Sequence, residues 1–391
     1  MNFQVHSFAR QCALLPLLAA LACFAPSHRA AGALIERLIF PVTTDPAIDG
    51  GNPLHRHVVC YDDAVPHPGR LFVFLPGTGG PPQAYKLITR TAAQIGYHAI
   101  ALAYVNDQSI NDDICPGQPS DCKENARLEI IEGQDYSPLI NVNRANSIEN
   151  RLIRLLQNLD QQYPAEGWGA FLDGETIRWE LMAFAGHSQG GGHAAMIGKI
   201  HNVYRVGMFS STEPAAWTLE PLATPTNRFF GFAHTLEDSF ISITRSWDNL
   251  GVPGTLTSVD AAPPPFAGSH QLQTTATPKD GANYHGCGVV DIYTPLQTDG
   301  VTPLFRDVWI YMIGPASNGP TPLTVSASVS SNDFTLTWPA MPGEIFNVQT
   351  STNLTDWTDA ATDLFAASFS IQHVVTNALS ETKAWYRVER K

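Results

Sequence analysis

A serine set between glycines, in residues 186–190 (Gly-His-Ser-Gln-Gly), constrains the fold of this chain more than any other feature. The run at 179–185 before it is apolar and predicts a buried strand, and the small residues at 191–196 after it predict a helix. A strand that turns at once into a helix brings two backbones together, and glycines leave room for that approach. The pattern predicts a strand–turn–helix unit with the Ser188 hydroxyl exposed at its apex. The alternative is a glycine-rich turn with an incidental serine.

Residues 34–314 alternate apolar runs with helix-like segments, which predicts a doubly wound, mostly parallel α/β sheet. The predicted strands are 71–75, 98–103, 179–185, 204–210, 228–233 and 254–259. The predicted helices are 85–95, 146–159, 191–196, 239–250 and 304–312. Residues 106–145 break this rhythm, and we expect an irregular wall or lid of the site there, or a plain surface loop.

Residues 1–33 have the features of an export signal. Arg10 supplies the positive charge, residues 11–25 form an apolar stretch, and residues 31–33 (Ala-Gly-Ala) offer a cleavage site. The apolar stretch is short for a membrane span. We expect a secreted or periplasmic protein with no integral membrane segment after cleavage. Lipid anchoring through Cys23 is the weaker alternative.

Four cysteines follow the signal, and an even number in an exported protein predicts two disulfides. Cys115 and Cys122 enclose a short loop that a local bridge would close, and a Cys60–Cys287 bridge then follows by elimination. No pair has C-x-x-C spacing, so no metal site is expected. The formal net charge of −13 argues against a nucleic-acid partner, because an acidic protein is repelled by polyphosphate.

The composition changes at residues 315–322, which are rich in proline and glycine and predict a linker. Short alternating runs at 334–338, 345–349, 369–374 and 385–388 predict a small antiparallel β-sandwich over 323–391. This segment resembles the fibronectin- or immunoglobulin-like modules of secreted bacterial enzymes. Its aromatic residues are expected in the module's core rather than as carbohydrate platforms: Trp338, Phe346, Trp357 and Tyr386. Binding of a surface or polysaccharide is the alternative role.

A serine hydroxyl becomes a strong nucleophile when a histidine takes its proton and an acid orients that histidine. In a sheet of this kind the chain order is serine, acid, histidine. Asp238 follows the predicted strand 228–233 at the expected distance, and its neighbour Glu237 is the alternative acid. His270 follows the predicted strand 254–259 and is the expected base, with His285 as its rival.

The tetrahedral intermediate of acyl transfer carries a negative oxygen that needs backbone N–H donors. Gln189, directly after the serine, is expected to supply one. The glycine-rich turn at 76–80 (Pro-Gly-Thr-Gly-Gly) is expected to supply the other, from Thr78 or Gly79.

With these motifs, residues 34–314 resemble the α/β-hydrolase superfamily, and within it a secreted bacterial branch. The resemblance implies Ser188 as nucleophile, Asp238 as acid and His270 as base. It implies a secreted serine esterase that works through an acyl-enzyme, without a cofactor, on a small-molecule or polymer-borne ester. The turn at 76–80 departs from the His-Gly-Gly-Gly pattern of some relatives. An acyltransferase with the same triad, or a non-catalytic adhesion protein with an inert hydrolase domain, are the alternatives.

Overall fold

The fold is known from a computed structural model. It describes residues 33–65, 67, 69–211, 215–261, 263–314, 325–330, 333–340, 345–366, 370–376 and 384–390. The predicted export signal, including Cys23, and the predicted linker at 315–322 lie outside the described residues, apart from residue 33. Within the described part of the chain, no helix is both long and apolar enough to cross a membrane.

A nine-stranded sheet forms the centre of residues 34–314, in the order β1-β2-β4-β3-β7-β8-β9-β11-β10. The strands of this part of the chain are β1 Leu34–Ile39, β2 His57–Asp62, β3 Leu71–Leu75, β4 His98–Ala101, β5 Leu172–Asp173, β6 Thr176–Ile177, β7 Met182–His187, β8 Arg205–Phe209, β9 Phe229–His234, β10 Thr257–Ser258 and β11 Gln271–Thr274. Strands β1, β2 and β4 pair antiparallel, whereas all pairs from β4 to β10 are parallel. Strands β5 and β6, of two residues each, form a separate antiparallel hairpin. The predicted α/β architecture with a mostly parallel sheet is confirmed.

Helices cover both faces of the sheet. They are α1 Pro41–Thr44, α2 Lys86–Gln94, α3 Cys122–Glu132, α4 Ile148–Gln162, α5 Gln189–Ile200, α6 Phe240–Asn249 and α7 Arg306–Ile313. Alternate residues of β3 point into two different cores: Phe72 and Phe74 pack with α2 and α7, and Val73 packs with α3 to α6. This alternation explains why strand β3 is apolar at every position.

Residues 106–145 are more regular than their sequence suggests. A π-helical turn at Ile110–Ile114 leads into a disulfide between Cys115 and Cys122, and helix α3 begins at that second cysteine. The predicted Cys115–Cys122 bridge is confirmed. The segment packs onto the sheet through buried side chains such as Ile110 and Ile131.

The predicted Cys60–Cys287 bridge is absent, since both thiols are free and buried. Cys60 lies within β2, where sheet pairing with β1 and β4 fixes its backbone. The Cys287 thiol instead lies 3.5 Å from the carbonyl oxygen of Ala276. Burial raises the pKa of each thiol to about 12, so neither is a reactive thiolate at neutral pH.

The C-terminal residues are all-β where the structure describes them. Two three-stranded antiparallel sheets are present, in the orders β12-β13-β16 and β15-β14-β17. Their strands are β12 Ser326–Ser330, β13 Asp333–Pro339, β14 Ile345–Ser351, β15 Thr358–Phe365, β16 Ser370–Val375 and β17 Trp385–Arg390. Trp338 and Phe346 are buried in one apolar cluster that draws on both sheets, Tyr386 packs against it, and Trp357 lies under the guanidinium of Arg387. Three of the four aromatic residues thus belong to the core, as expected.

Candidate active site

Ser188 occupies the sharp turn between strand β7 and helix α5. Its backbone has φ 53° and ψ −122°, a conformation that non-glycine residues rarely adopt. The Ser188 N–H donates to the carbonyl of Phe209 on β8, and its carbonyl accepts from Gly191, Gly192 and the Ser211 hydroxyl. The strained backbone is therefore held from both sides, which is common at functional sites.

The two glycines of the motif are required by close backbone packing. A Cβ atom on Gly186 would lie 2.2 Å from the carbonyl carbon of Gly190. A Cβ atom on Gly190 would lie 2.0 Å from the carbonyl oxygen of Leu75, at the end of β3. Helix α5 thus starts in direct contact with the adjacent strand, which fixes Ser188 beside the turn at 76–80.

Glu237 and His285 form a carboxylate–imidazole pair in which the carboxylate is buried and the imidazole is partly exposed. The Nδ1 atom of His285 lies 2.7 Å from Oε2 of Glu237, whose side chain is 1% exposed. The other carboxylate oxygen, Oε1, accepts from the Ser210 hydroxyl and from the His234 N–H. Since all these partners donate, Glu237 is held as an acceptor and Nδ1 of His285 carries the proton. The Nε2 atom of His285 is then free to act as a base.

The structure does not bring Asp238 and His270 together. Asp238 is exposed at the pocket, and the carboxylate that contacts a histidine belongs to its neighbour Glu237. His270 immediately precedes β11, and its ring stacks on Phe230 at 3.8 Å with Nδ1 bonded to the carbonyl of Phe229. It therefore lies at the amino end of a parallel strand, whereas Ser188 and Glu237 follow the carboxyl ends of β7 and β9. The carboxylate–imidazole contact at the pocket therefore joins Glu237 and His285, the two alternatives of the sequence analysis, and not Asp238 and His270.

The backbone N–H groups of Thr78 and Gln189, two residues that line the same pocket as Ser188, have no hydrogen-bond partner among the described residues. Gln189 is the first residue of α5, so its N–H belongs to the unsatisfied start of the helix. Gly79, the other candidate in the turn, donates its N–H to the carbonyl of Asn106 at 2.7 Å and is therefore occupied. Of the two alternatives in the turn, the geometry favours Thr78.

Side-chain hydrogen bonds fix the shape of the turn at 76–80. The Asn106 amide donates to the carbonyls of Gly77 and Gly80 at 2.7 and 3.0 Å, and this side chain is buried. The Gln189 side-chain oxygen accepts from the Thr78 hydroxyl and from the Ile110 N–H. The turn, the start of α5 and the segment at 106–145 thus form one hydrogen-bonded unit.

These groups face a single pocket of about 950 Å³. Ser188, Glu237 and His285 line it together with Thr78 and Gln189. The segment at 109–112 forms one wall, as expected for part of residues 106–145. The carboxylates of Asp112, Asp238 and Asp280 also line the pocket. Arg127 is the one lysine or arginine among its described lining residues.

His234, beside these acids, has both ring nitrogens engaged: Nε2 bonds to the carbonyl of Ala276, and Nδ1 accepts from the Leu236 N–H. It is therefore part of the scaffold that holds Glu237. In the described part of the chain, no group of three His, Cys, Asp or Glu side chains could hold a metal ion.

Comparison with known proteins gives distant structural similarities. No protein-family model matches the chain. No curated protein matches it either. Among solved structures, it resembles a mutant feruloyl esterase module from Clostridium thermocellum complexed with sinapinate, at 13% identity and a TM-score of 0.33, covering 74% of this chain and 91% of that one. It also resembles a protein from Bacteroides fragilis described as a putative acetyl xylan esterase, at 11% identity and a TM-score of 0.26, covering 75% and 76%. Scores of this size support no inference about activity.

Proposed function

We propose that this protein is a serine hydrolase that cleaves carboxylic esters with Ser188, His285 and Glu237. The observation that carries the proposal is the Glu237–His285 pair, which lines the same pocket as a serine on a strained strand-to-helix turn. Nucleophile, orienting acid and base follow in the chain order expected for an α/β-hydrolase. The resemblance of the sequence to that superfamily therefore supports the proposal. The proposed acid and base are Glu237 and His285, instead of Asp238 and His270.

The proposed reaction begins when Nε2 of His285 takes the proton of the Ser188 hydroxyl as Oγ attacks the ester carbonyl. Glu237 keeps the other proton on Nδ1 and stabilises the imidazolium that forms. The Thr78 and Gln189 N–H groups donate to the oxyanion of the tetrahedral intermediate. His285 then protonates the leaving alcohol, and water releases the acid from the acyl-enzyme by the reverse sequence.

The charge of the pocket favours uncharged esters over anionic ones. Asp112, Asp238 and Asp280 place negative charge around the entrance, and like charge repels an anionic substrate. Hydroxyl and amide side chains, such as those of Ser109, Ser242 and Asn283, also line the pocket. A polar ester of a small molecule or of a polymer suits this lining. Secretion, and binding of a surface or polysaccharide by the β module, belong to the same proposal and rest on the sequence.

Covalent labelling with a fluorophosphonate, read by peptide mass spectrometry, tests the proposal. We expect one adduct on Ser188 in the wild type and none in Ser188→Ala, which should also lose hydrolysis of p-nitrophenyl acyl esters. Ser246→Ala is the matched control, because Ser246 is a buried serine of α6 whose hydroxyl only bonds to the carbonyl of Ile243.

Labelling elsewhere, no labelling, or equal hydrolysis by Ser188→Ala and the wild type would overturn the proposal. Addition of an alcohol acceptor separates hydrolysis from acyl transfer. A product that is mainly the transferred ester would make the protein an acyltransferase with the same three residues.

A further inference from the structure

His187, the residue before the serine, is buried and connects the two loops that the proposed reaction uses. Its Nε2 lies 3.0 Å from the backbone carbonyl oxygen of His285. Its Nδ1 lies 3.0 Å from the hydroxyl of Tyr85, and that hydroxyl accepts the Gly77 N–H at 3.2 Å. A continuous hydrogen-bonded chain therefore runs from the turn at 76–80 to the loop that carries the base.

The chemistry of the partners fixes the direction of each hydrogen bond. The His285 carbonyl can only accept, so Nε2 of His187 carries a proton. Burial lowers the pKa of His187 to about 3, so the ring is neutral near pH 7 and its Nδ1 accepts from Tyr85. Burial raises the pKa of Tyr85 to about 12, so that hydroxyl keeps the proton it donates. The Tyr85 oxygen is then left to accept from Gly77, and every group in the chain is satisfied.

Tight packing leaves this chain little freedom to rearrange. A Cβ atom on Gly77 would lie 3.0 Å from Nδ1 of His187, and one on Gly80 would lie 3.1 Å from the Tyr85 hydroxyl. Tyr85 itself is buried against Phe74. The His187 and His285 rings are 4.7 Å apart between centroids. A substitution at His187 would therefore displace both the turn at 76–80 and His285.

We propose that His187 is a positioning residue that sets the backbone of His285 and, through Tyr85, the turn that presents the Thr78 N–H. The inference rests on the proposed function and adds His187 and Tyr85 to the residues on which that function depends. His187 keeps its proton throughout and does not touch the ester. Its effect is to hold the base and the oxyanion donor at one fixed separation. Loss of that effect should slow the reaction, because misplacement by about 1 Å can cost roughly a hundredfold in rate.

Substitutions at the two side chains of this hydrogen-bonded chain, His187 and Tyr85, test the inference in the full-length protein. His187→Leu removes both hydrogen bonds, whereas His187→Gln retains an amide that reaches the His285 carbonyl. We expect kcat to fall about a hundredfold in His187→Leu and about tenfold in His187→Gln, with KM changed less than about twofold, because positioning acts on the transition state. His98→Gln is the control, since His98 is also buried and its Nε2 also bonds to a backbone carbonyl, that of Glu166.

Tyr85→Phe tests the other half of the chain, with Tyr97→Phe as a control that removes a buried hydroxyl bonded to the carbonyl of Ile313. We expect about a tenfold loss of kcat in Tyr85→Phe and less than about twofold in the control. In the His187→Leu background, Tyr85→Phe should cost less than about twofold more, because the chain is already broken.

The inference is overturned if the His187 variants lose no more activity than His98→Gln at equal folded fraction. Equal cost of Tyr85→Phe in both backgrounds would overturn it as well. Either result leaves the proposed function intact if Ser188 is still labelled in the wild type. Failure of that labelling would instead remove the proposed function itself.

Discussion

Glu237 accepts a hydrogen bond from Nδ1 of His285 at 2.7 Å, and its own side chain is almost completely buried. The contact joins the loop after β9 to the loop after β11. It also fixes the imidazole in the tautomer whose Nε2 can accept a proton. Two further donors, the Ser210 hydroxyl and the His234 N–H, hold the carboxylate in place.

Glu237→Gln should therefore abolish most activity while leaving the fold intact. Its amide would donate to His285 and favour the tautomer with the proton on Nε2, which cannot accept one from Ser188. We expect kcat to fall roughly ten-thousandfold, as in a serine-protease triad whose acid is replaced by its amide and whose histidine then has the wrong tautomer. Asp238→Asn removes a charge one residue away and should change kcat less than about tenfold. Steady-state kinetics on a neutral ester measures both, and equal losses would contradict the assignment of Glu237.

His285→Gln and His270→Gln separate the two candidate bases. His285 lines the pocket, whereas His270 is stacked on Phe230 before β11. We expect a loss of kcat of about a thousandfold in His285→Gln, which is typical for removal of a general base. His270→Gln should retain kcat within a few-fold and should lower the thermal midpoint. The opposite order of the two kcat values would restore His270 as the base.

The sequence predicts the turn at Ser188 well because its causes are local. Apolar residues before it, small residues after it and glycines at Gly186 and Gly190 all act within about a dozen positions. The choice between Glu237 and Asp238 depends instead on which of two adjacent side chains points inward. That direction is set by His285, which lies 48 residues away in the chain.

The sequence points to His270 as the base because residues 254–259 resemble the last strand. In the structure only Thr257–Ser258 of that segment is a strand, and the strand that precedes His285, the proposed base, is β11, Gln271–Thr274. This strand has one aliphatic residue in four, so no apolar run marks it. Applied after β11 instead, the same chain order leads to His285, the proposed base.

The sequence does not indicate helix α3, for a related reason. Arg127 and Glu129 are buried in it, and charged residues on the inner face hide the apolar period that marks a helix. The Glu129 carboxylate accepts hydrogen bonds from the Ser137 and Val142 N–H groups, so the loop that follows the helix compensates for its burial. The Cys60–Cys287 pairing failed because counting cysteines ignores the sheet that holds Cys60.

Gly190→Ala should destabilise the protein strongly, because a methyl group there meets the backbone of Leu75 and Pro76. Neither strand nor helix can yield without breaking hydrogen bonds. We expect a loss of about 3 kcal/mol or more in the free energy of unfolding. Gly174→Ala is the control: Gly174 has φ 63° with open space around it, so its cost should be about 1 kcal/mol of backbone strain. Urea unfolding compares the two, and similar losses would contradict the close contact.

Asn106→Asp should impair catalysis through the turn at 76–80. The Asn106 amide donates to the carbonyls of Gly77 and Gly80, and a carboxylate there would repel both. Displacement of the Thr78 N–H should lower kcat about a hundredfold, near the cost of losing one oxyanion donor. KM should change little. Asn52→Asp makes the same charge change at an exposed turn whose acceptor oxygen is retained, and should match the wild type.

Buried neutral histidines should make the protein labile to acid. Burial lowers the pKa of His98 to about 4 and that of His57 to about 3, against ordinary values of 6.5. The unfolded chain takes up these protons as the pH falls through 6.5, but the folded chain does so only near the lowered values. Stability is therefore present above pH 6.5 and is lost towards pH 4, by about 1.4 kcal/mol per pH unit for each such histidine.

His98→Gln isolates one of these protons. The variant should be less stable than the wild type at pH 7.5, because a buried contact is altered. Between pH 6.5 and 4.5 its unfolding free energy should fall less steeply, by about 1.4 kcal/mol per pH unit. Urea titrations at four pH values measure the slope, with His373→Gln in strand β16 as a control on a partly exposed histidine. Parallel curves for His98→Gln and the wild type would show that His98 takes up its proton equally in both states, against the effect of its burial.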